Sequence, residues 1–404
     1  MSESRIAGWL QGVRRSRPAG IPLTLVREAD RLPESDDATG GGPPPLPGVR
    51  QRVVHTSVLP DTPDNGLFSA AGGEPLPDWA LTGGQGYGHP VDLFRVRDVC
   101  HAPQLGAVID PDGAVFTASA AEALFFTPDI GRLPAVRVRA GQARFFPTGE
   151  EPRLASAFLF VPWGARFNYG HFLLDALPGL VLLADRGLLD RFPAIAPRLD
   201  PWQRELLELA LKPGERVEET DAPLVRVDDL LFTSCMDHFL HAPNAPLDSV
   251  RSRILAGLED IPPGGTRRLY LSRRSERKRR LINEAELEAG LAARGFEIVE
   301  PQHLPVREQI ALFRSAEAVV APTGAALANA LFLPPGAALF EIQPSNFMGV
   351  WVRGLAQYVG ARWHGYFCSS PLEGLRERKP PGGVPDFTWQ VPAADFLAYV
   401  DAHL

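Results

Sequence analysis

The sequence predicts an α/β fold with a parallel sheet in its C-terminal half, and three observations carry this. Short unbroken apolar runs of strand length recur between residues 268 and 342. Segments of helical spacing, about eight to twelve residues long, separate them. Asn or Gly stands where such helices have to start or stop, as at Asn283 and Gly295.

The 404 residues are 45% hydrophobic and 22% charged, too many for one small module and too apolar for a disordered chain. Two domains are therefore expected. A net charge of -7 does not draw nucleic acid or an anionic bilayer to the molecule as a whole, so any basic site has to be local. Cys100, Cys235 and Cys368 are the three cysteines. They form no C-x-x-C pair, which argues against a disulfide scaffold and for a reducing compartment. No apolar stretch reaches about 18 residues, so a transmembrane helix is not expected. Ile6, Trp9, Leu10 and Val13 fall at helical spacing beside Arg14 and Arg15. They read either as a surface helix docked on its own domain or as a weak interfacial one. The expectation is a cytoplasmic protein with at most peripheral membrane contact.

Taken in order, residues 33–48 (PESDDATGGGPPPLPG) combine acidic, Gly and Pro tracts and read as a linker. Residues 60–90 are similarly turn-rich. Short strands follow at 107–109, 114–117 and 136–138, the first two separated by the turn Pro111-Asp112-Gly113. The run 157–161 (AFLFV) is a buried strand. Leu173, Leu174, Leu177, Leu180 and Val181 then predict a helix over 169–185. A second helix over 201–211 has Asp200 as N-cap and Pro201 as first residue, and 230–233 is another strand.

Beyond it, 268–272 (RLYLS) is a strand that runs into a basic loop ending at Arg280. Asn283 caps a helix over 284–294. Strands at 296–300, 318–321 and 338–342 alternate with helices at 306–315 and 325–332, which makes this half a Rossmann-like domain. The divisions are an N-terminal extension (1–50), an N-terminal lobe (51–245) and a C-terminal lobe (246–404). Residues 245–265 join the lobes, and the final helix, 393–403, is expected to cross back to the first.

Three constellations carry chemistry. Pro322-Thr323-Gly324-Ala325-Ala326-Leu327-Ala328-Asn329 lies between a strand and a helix. Small residues there let backbone N–H groups approach an anion, with Gly324 free to take a positive φ; close helix packing is the alternative. No G-x-G-x-x-G and no P-loop is present. Eight of the fourteen residues 267–280 are basic, from Arg267 to Arg280. They suit a phosphate ligand, a solvated face or, less well without a stacking aromatic, nucleic acid. In Asn168-Tyr169-Gly170-His171-Phe172-Leu173-Leu174-Asp175, the i,i+4 spacing places His171 beside Asp175, as a general base or as a structural pair, while Asn168 is a natural N-cap. Glu341, at a strand end, either binds ribose hydroxyls or bridges to the arginine run. Asp237, His238 and His241 match no metal-site spacing.

Ser272-Arg273, Arg280-x-x-Asn283-Glu284, Glu308-Gln309, the segment Ala321 to Asn329, Leu331-Phe332 and Phe340-Glu341-Ile342 form a series in this order. With the upstream Asn168-x-x-His171-x-x-x-Asp175, it resembles glycosyltransferase family 61 (the DUF563 domain) over about residues 150–345. The resemblance implies an inverting, metal-independent hexosyl- or pentosyltransferase of GT-B architecture, with two Rossmann-like lobes and no cofactor. Its donor would be a nucleotide sugar, commonly a UDP-sugar, and its acceptor a glycan or glycolipid precursor of the cell surface. His171 is then the favoured base with Asp175 orienting it, and Asp175 itself the alternative. Arg273 and Arg280 hold the diphosphate, and Gly324 and Ala325 supply backbone donors. Asn283, Thr323, Asn329 and Glu341 complete the donor side, with Asn168 acceptor-facing or structural. Thr323 stands where the family often has His, so a hydroxyl replaces a cation. A non-catalytic nucleotide-sugar or polysaccharide-binding protein of the same fold is the rival reading.

Overall fold

The computed structural model describes residues 20–26, 31–32, 34, 48–54, 68–72, 76, 91–116, 131, 133–162, 164–234, 245–369 and 387–404. The helix expected around Ile6 to Val13, nearly all of the 33–48 linker, Cys235 and the Asp237, His238 and His241 group lie outside these residues.

In chain order the first half supplies β1 (Phe68–Gly72), β2 (Val91–Ala102), β3 (Ala157–Leu159), α1 (169–185), β4 (Ala194–Pro197), α2 (Pro201–Ala210), β5 (Val217–Thr220) and β6 (Val225–Thr233). α3 (Ala245–Ala256) follows. Strands β5-β4-β3-β6-β2 lie side by side and continue through Ala107–Ile109 and Ala114–Phe116 to Thr24–Val26. The first four run parallel, whereas β2 and the two short strands after it pair antiparallel. The N-terminal sheet is thus mixed, unlike the C-terminal one. The reason is connection length: the turns at 103–106 and 110–113 are far too short for the crossover that a parallel pair needs.

β2 was not expected because Arg95, Arg97 and Asp98 interrupt its pattern. Arg95 is nonetheless buried, because Asp229 of β6 takes its guanidinium through two bonds, Nε to Oδ1 at 2.8 Å and Nη2 to Oδ2 at 2.5 Å. As predicted, α2 opens on Pro201 with Asp200 at its N-cap, and the Asp200 N–H donates to Gln203 Oε1 at 2.7 Å.

The second half supplies β7 (Arg267–Leu271), α4 (Glu284–Ala292), β8 (Phe296–Val299), α5 (Val306–Arg314), β9 (Ala316–Pro322), β10 (Ala338–Pro344), α6 (Trp351–Val359), β11 (Arg362–Cys368) and α7 (Ala393–His403). The sheet order is β8-β7-β9-β10-β11-β1, parallel throughout. Both faces are covered. Leu269, Val319, Leu339 and Trp363 point toward α5, α6 and segment 325–332, while Tyr270, Val320, Phe340 and Tyr366 point toward α4 and α7. That is a doubly wound sheet, and the order of its strands reverses between β7 and β9. The first of its two cores runs on into the first half, taking in Phe158, Phe172, Leu177 and Leu231. α3 ties the halves together: Arg253 pairs with Asp185 and Glu215 at 2.6 Å each, and Arg251 Nε donates to Leu331 O at 2.8 Å.

Three further expectations change, and the helix expected over 325–332 is present with a tighter winding. α7 stays on the C-terminal lobe, packed beside α4: Leu397 fills the space over Gly290, and Arg294 holds Asp401 through two bonds of 2.7 Å. Phe396 and Val400 complete the second core, which is where its apolar face finds burial. β1, assigned by position to the N-terminal lobe, is the edge strand of the C-terminal sheet, paired with β11. Segment Ala325–Phe332 winds as a 3₁₀ helix, with Leu327 N bonded to Gly324 O at 3.0 Å. That tighter winding stacks Ala325 and Ala328 on one side, where both approach Gly170 of α1. Asn283 occupies the N-cap position of α4 but does not cap with its side chain.

Candidate active site

The site is built from two adjacent strand ends and one helix. β7 leads into Ser272 and Arg273, and β9 into Thr323 and Gly324, on either side of the point where the strand order reverses. In open α/β sheets the crevice outside these carboxyl ends is where ligands bind. The Thr323 N–H donates to Ile342 O at 2.9 Å, which extends the ladder to the turn, and the Ser272 N–H donates to Val299 O at 2.8 Å on the other flank.

Gly324 does not take a positive φ. At φ 177° its backbone is extended, and the Arg273 guanidinium Nη1 occupies the place a Cβ would take. The arginine thus lies directly over the turn. Its Nη2 donates to Lys278 O at 3.2 Å, curling the basic loop back on itself. Burial pulls the Arg273 pKa down, opposed by the charges of Glu276 and Glu284.

Two carboxylates of α4 fix this strand end from below. Glu284 Oε1 accepts from the Arg273 N–H at 2.6 Å and from the Tyr270 hydroxyl at 3.0 Å. Glu288 accepts from the Ser272 hydroxyl at 2.7 Å and from Arg274 Nη1 at 2.9 Å. Burial, and then the neighbouring Glu288, raise the pKa of Glu284. No role was assigned to either residue in advance; their i,i+4 spacing behind Asn283 was the available signal.

On the helix side, Asn168 caps α1, its Oδ1 accepting from the His171 N–H at 3.3 Å. Between Phe172 and Ala176 the helix widens to a π-turn, a feature that recurs at functional sites. His171 Nδ1 lies 2.8 Å from Asp175 Oδ2, with both residues buried. The carboxylate only accepts, so Nδ1 carries the proton and Nε2 is left as the basic nitrogen. The start of this helix abuts the turn of the other half. A Cβ on Gly170 would stand 3.6 Å from Ala325 O, and the Tyr169 hydroxyl donates to Asn329 Oδ1 at 2.7 Å. Tyr169 was not singled out from sequence.

The remaining expected donor residues are placed differently. Arg280 is exposed, in a two-residue strand paired with Thr388-Trp389. Asn283 clamps the chain before α7, its Nδ2 donating to Val391 O at 2.7 Å and its Oδ1 accepting from Val391 N at 3.1 Å. Asn329 and Glu341 are both 0% exposed, so neither lines an open crevice here. Glu341 Oε2 accepts from Trp363 Nε1 at 3.0 Å, its other oxygen has no hydrogen-bond partner, and burial pushes its pKa up to about 7. It does not bridge to the arginines. Those are met by Glu297 at Arg267, Glu317 at Arg268 and Glu288 at Arg274. Among the described residues no helix is long and apolar enough to cross a membrane.

Residues 169–340 match the family model described as Glycosyltransferase 61. The interval opens on Tyr169, takes in His171, Asp175, Arg273, Gly324 and Asn329, and ends just before Glu341. No curated protein matches the chain.

Proposed function

Residues 169–340 match the Glycosyltransferase 61 family model, and from that match we propose that this chain moves a sugar from a nucleotide sugar, with inversion, to a hydroxyl of a glycan or glycolipid precursor. One observation carries the reading: the Arg273 guanidinium lies over the extended turn at Gly324, at the reversal point of the C-terminal sheet. A planar cation beside backbone N–H donors is what a departing diphosphate requires. Gly324 and Ala325 supply those donors. UDP is the favoured nucleotide.

The reaction is a single displacement. The acceptor hydroxyl gives its proton to His171 Nε2 while its oxygen forms a bond to the anomeric carbon. The bond from that carbon to the phosphate oxygen breaks, and the electron pair leaves with the nucleoside diphosphate. Asp175, bonded to Nδ1, holds the ring in the required tautomer and stabilises the imidazolium that results. In this reading the two halves act as the acceptor and donor lobes of a GT-B-like enzyme on the cytoplasmic side.

The purified protein should release nucleoside diphosphate from one member of a nucleotide-sugar panel, with an acceptor extract, without added divalent metal and undiminished in EDTA. Full loss in EDTA would overturn the metal-independent mechanism. Release from no member, without thermal stabilisation by any of them, would overturn the donor site.

A further inference from the structure

The mechanism above leaves one buried hydrogen-bond chain unused. Tyr169 Oη donates to Asn329 Oδ1 at 2.7 Å, Asn329 Nδ2 donates to Gln309 Oε1 at 3.4 Å, and Gln309 Nε2 donates to Leu304 O at 3.0 Å. It runs in one direction only. The Leu304 carbonyl can do nothing but accept, so each amide must present its nitrogen onward and the phenol must be the first donor. Burial raises the Tyr169 pKa above its ordinary value, which keeps that proton in place at any working pH.

The location of the chain matters more than its existence. Tyr169 stands two residues before His171 on α1, and Asn329 five residues after Gly324 on the 3₁₀ helix. Asn329 has no exposure at all, and Gln309 is 7% exposed. Beside the bond Gly170 meets Ala325 and Ala328 with no side chain of its own between them. The tyrosine hydroxyl is thus a direct polar tie between the element that carries the base and the element that carries the phosphate turn. Without it, Asn329 Oδ1 would be a buried acceptor with no donor, and the two elements would have to shift or admit water to satisfy it.

We propose that Tyr169, Asn329 and Gln309 are positioning residues that set the separation between the His171–Asp175 helix and the Arg273–Gly324 corner, and so govern the transfer step and not donor affinity. The proposal rests on the glycosyltransferase reading for its kinetic consequence, while its structural content is tested separately. Tyr169→Phe should lower kcat for transfer about tenfold and leave the donor KM within about twofold. It should also speed amide hydrogen exchange in 169–176 and 325–332 together. Gln309→Met, one link further along, should give the same split at smaller size and guards against a tyrosine variant that does not fold. Trp202→Phe changes the ring packed 5.8 Å from Tyr169 and keeps the hydroxyl bond, so kcat should stay within about twofold of wild type. Wild-type kcat in Tyr169→Phe, or faster exchange in only one of the two segments, overturns the proposal. If the wild-type protein turns over no nucleotide sugar, it is the functional reading that fails, and the exchange measurement still decides the coupling.

Discussion

The corner at Arg273 and Gly324 hangs from two neighbouring strand ends of a sheet buried on both faces, whereas the His171–Asp175 pair rides on a helix whose winding loosens to a π-turn between Phe172 and Ala176. The first arrangement fixes backbone. The Thr323 N–H is pinned by the ladder to β10 and the Arg273 N–H by Glu284 underneath. The second fixes a side chain. The bond to Asp175 sets the tautomer of His171. In the proposed mechanism this difference corresponds to static charge on one side and proton movement on the other, and it implies that the two sides fail differently when altered.

The largest effect is expected from His171→Ala, which should lower kcat about a thousandfold while nucleotide-sugar affinity, read by calorimetry, changes less than about twofold. An equal loss of affinity would break the contrast. Next comes Arg273→Ala, expected to weaken donor binding about a hundredfold. Gly324→Ala should act in the same direction but less, because its methyl would take the space of the guanidinium. If either of these lowers kcat at saturating donor and leaves affinity untouched, the division of labour is wrong.

The smallest effect is on stability against pH. Burial lowers the pKa of His101 to about 4 and that of His364 to about 3, from an ordinary 6.5. The unfolded chain therefore takes up protons that the folded chain refuses. Their contribution is complete above pH 6.5 and is lost as the pH falls toward 4. Glu341 works in the opposite sense: with its pKa raised from 4.5 to about 7, its contribution is complete below 4.5 and is lost as the pH rises through 7. Among these three groups the two histidines outweigh Glu341, so their combined effect is a Tm that rises between pH 4.5 and 7. Glu341→Gln should steepen that rise and His364→Gln should flatten it. A Tm that falls over this range in the wild-type protein would contradict the balance.

What could be read in advance followed local rules. The leucine spacing of α1, Pro201 behind Asp200, the Asn168 cap and the alternation of β9 and β10 with helices each depend on residues within about one turn or one strand of each other. Gly295, at φ 80° just past α4, stops that helix as its position predicts. β2 was missed because its buried Arg95 makes sense only beside Asp229, 134 residues away. The helix over 325–332 was legible, but not its 3₁₀ winding, because small, apolar Ala325 to Ala330 suit either helix type. Asn283 was right in position and wrong in role, since Val391 competes for its side chain.

The sequence by itself determined the parallel C-terminal sheet, the helices flanking it, the His171–Asp175 spacing and the glycine turn, because periodicity and capping are properties of neighbouring residues. Only the tertiary structure decided that β1 joins the C-terminal sheet, that α7 stays on that lobe, that Arg273 rather than Arg280 covers Gly324, and that Tyr169 reaches Asn329. Each of these is a contact between segments far apart in the chain, chosen by which buried polar group or apolar face had to be satisfied once the sheets were in place.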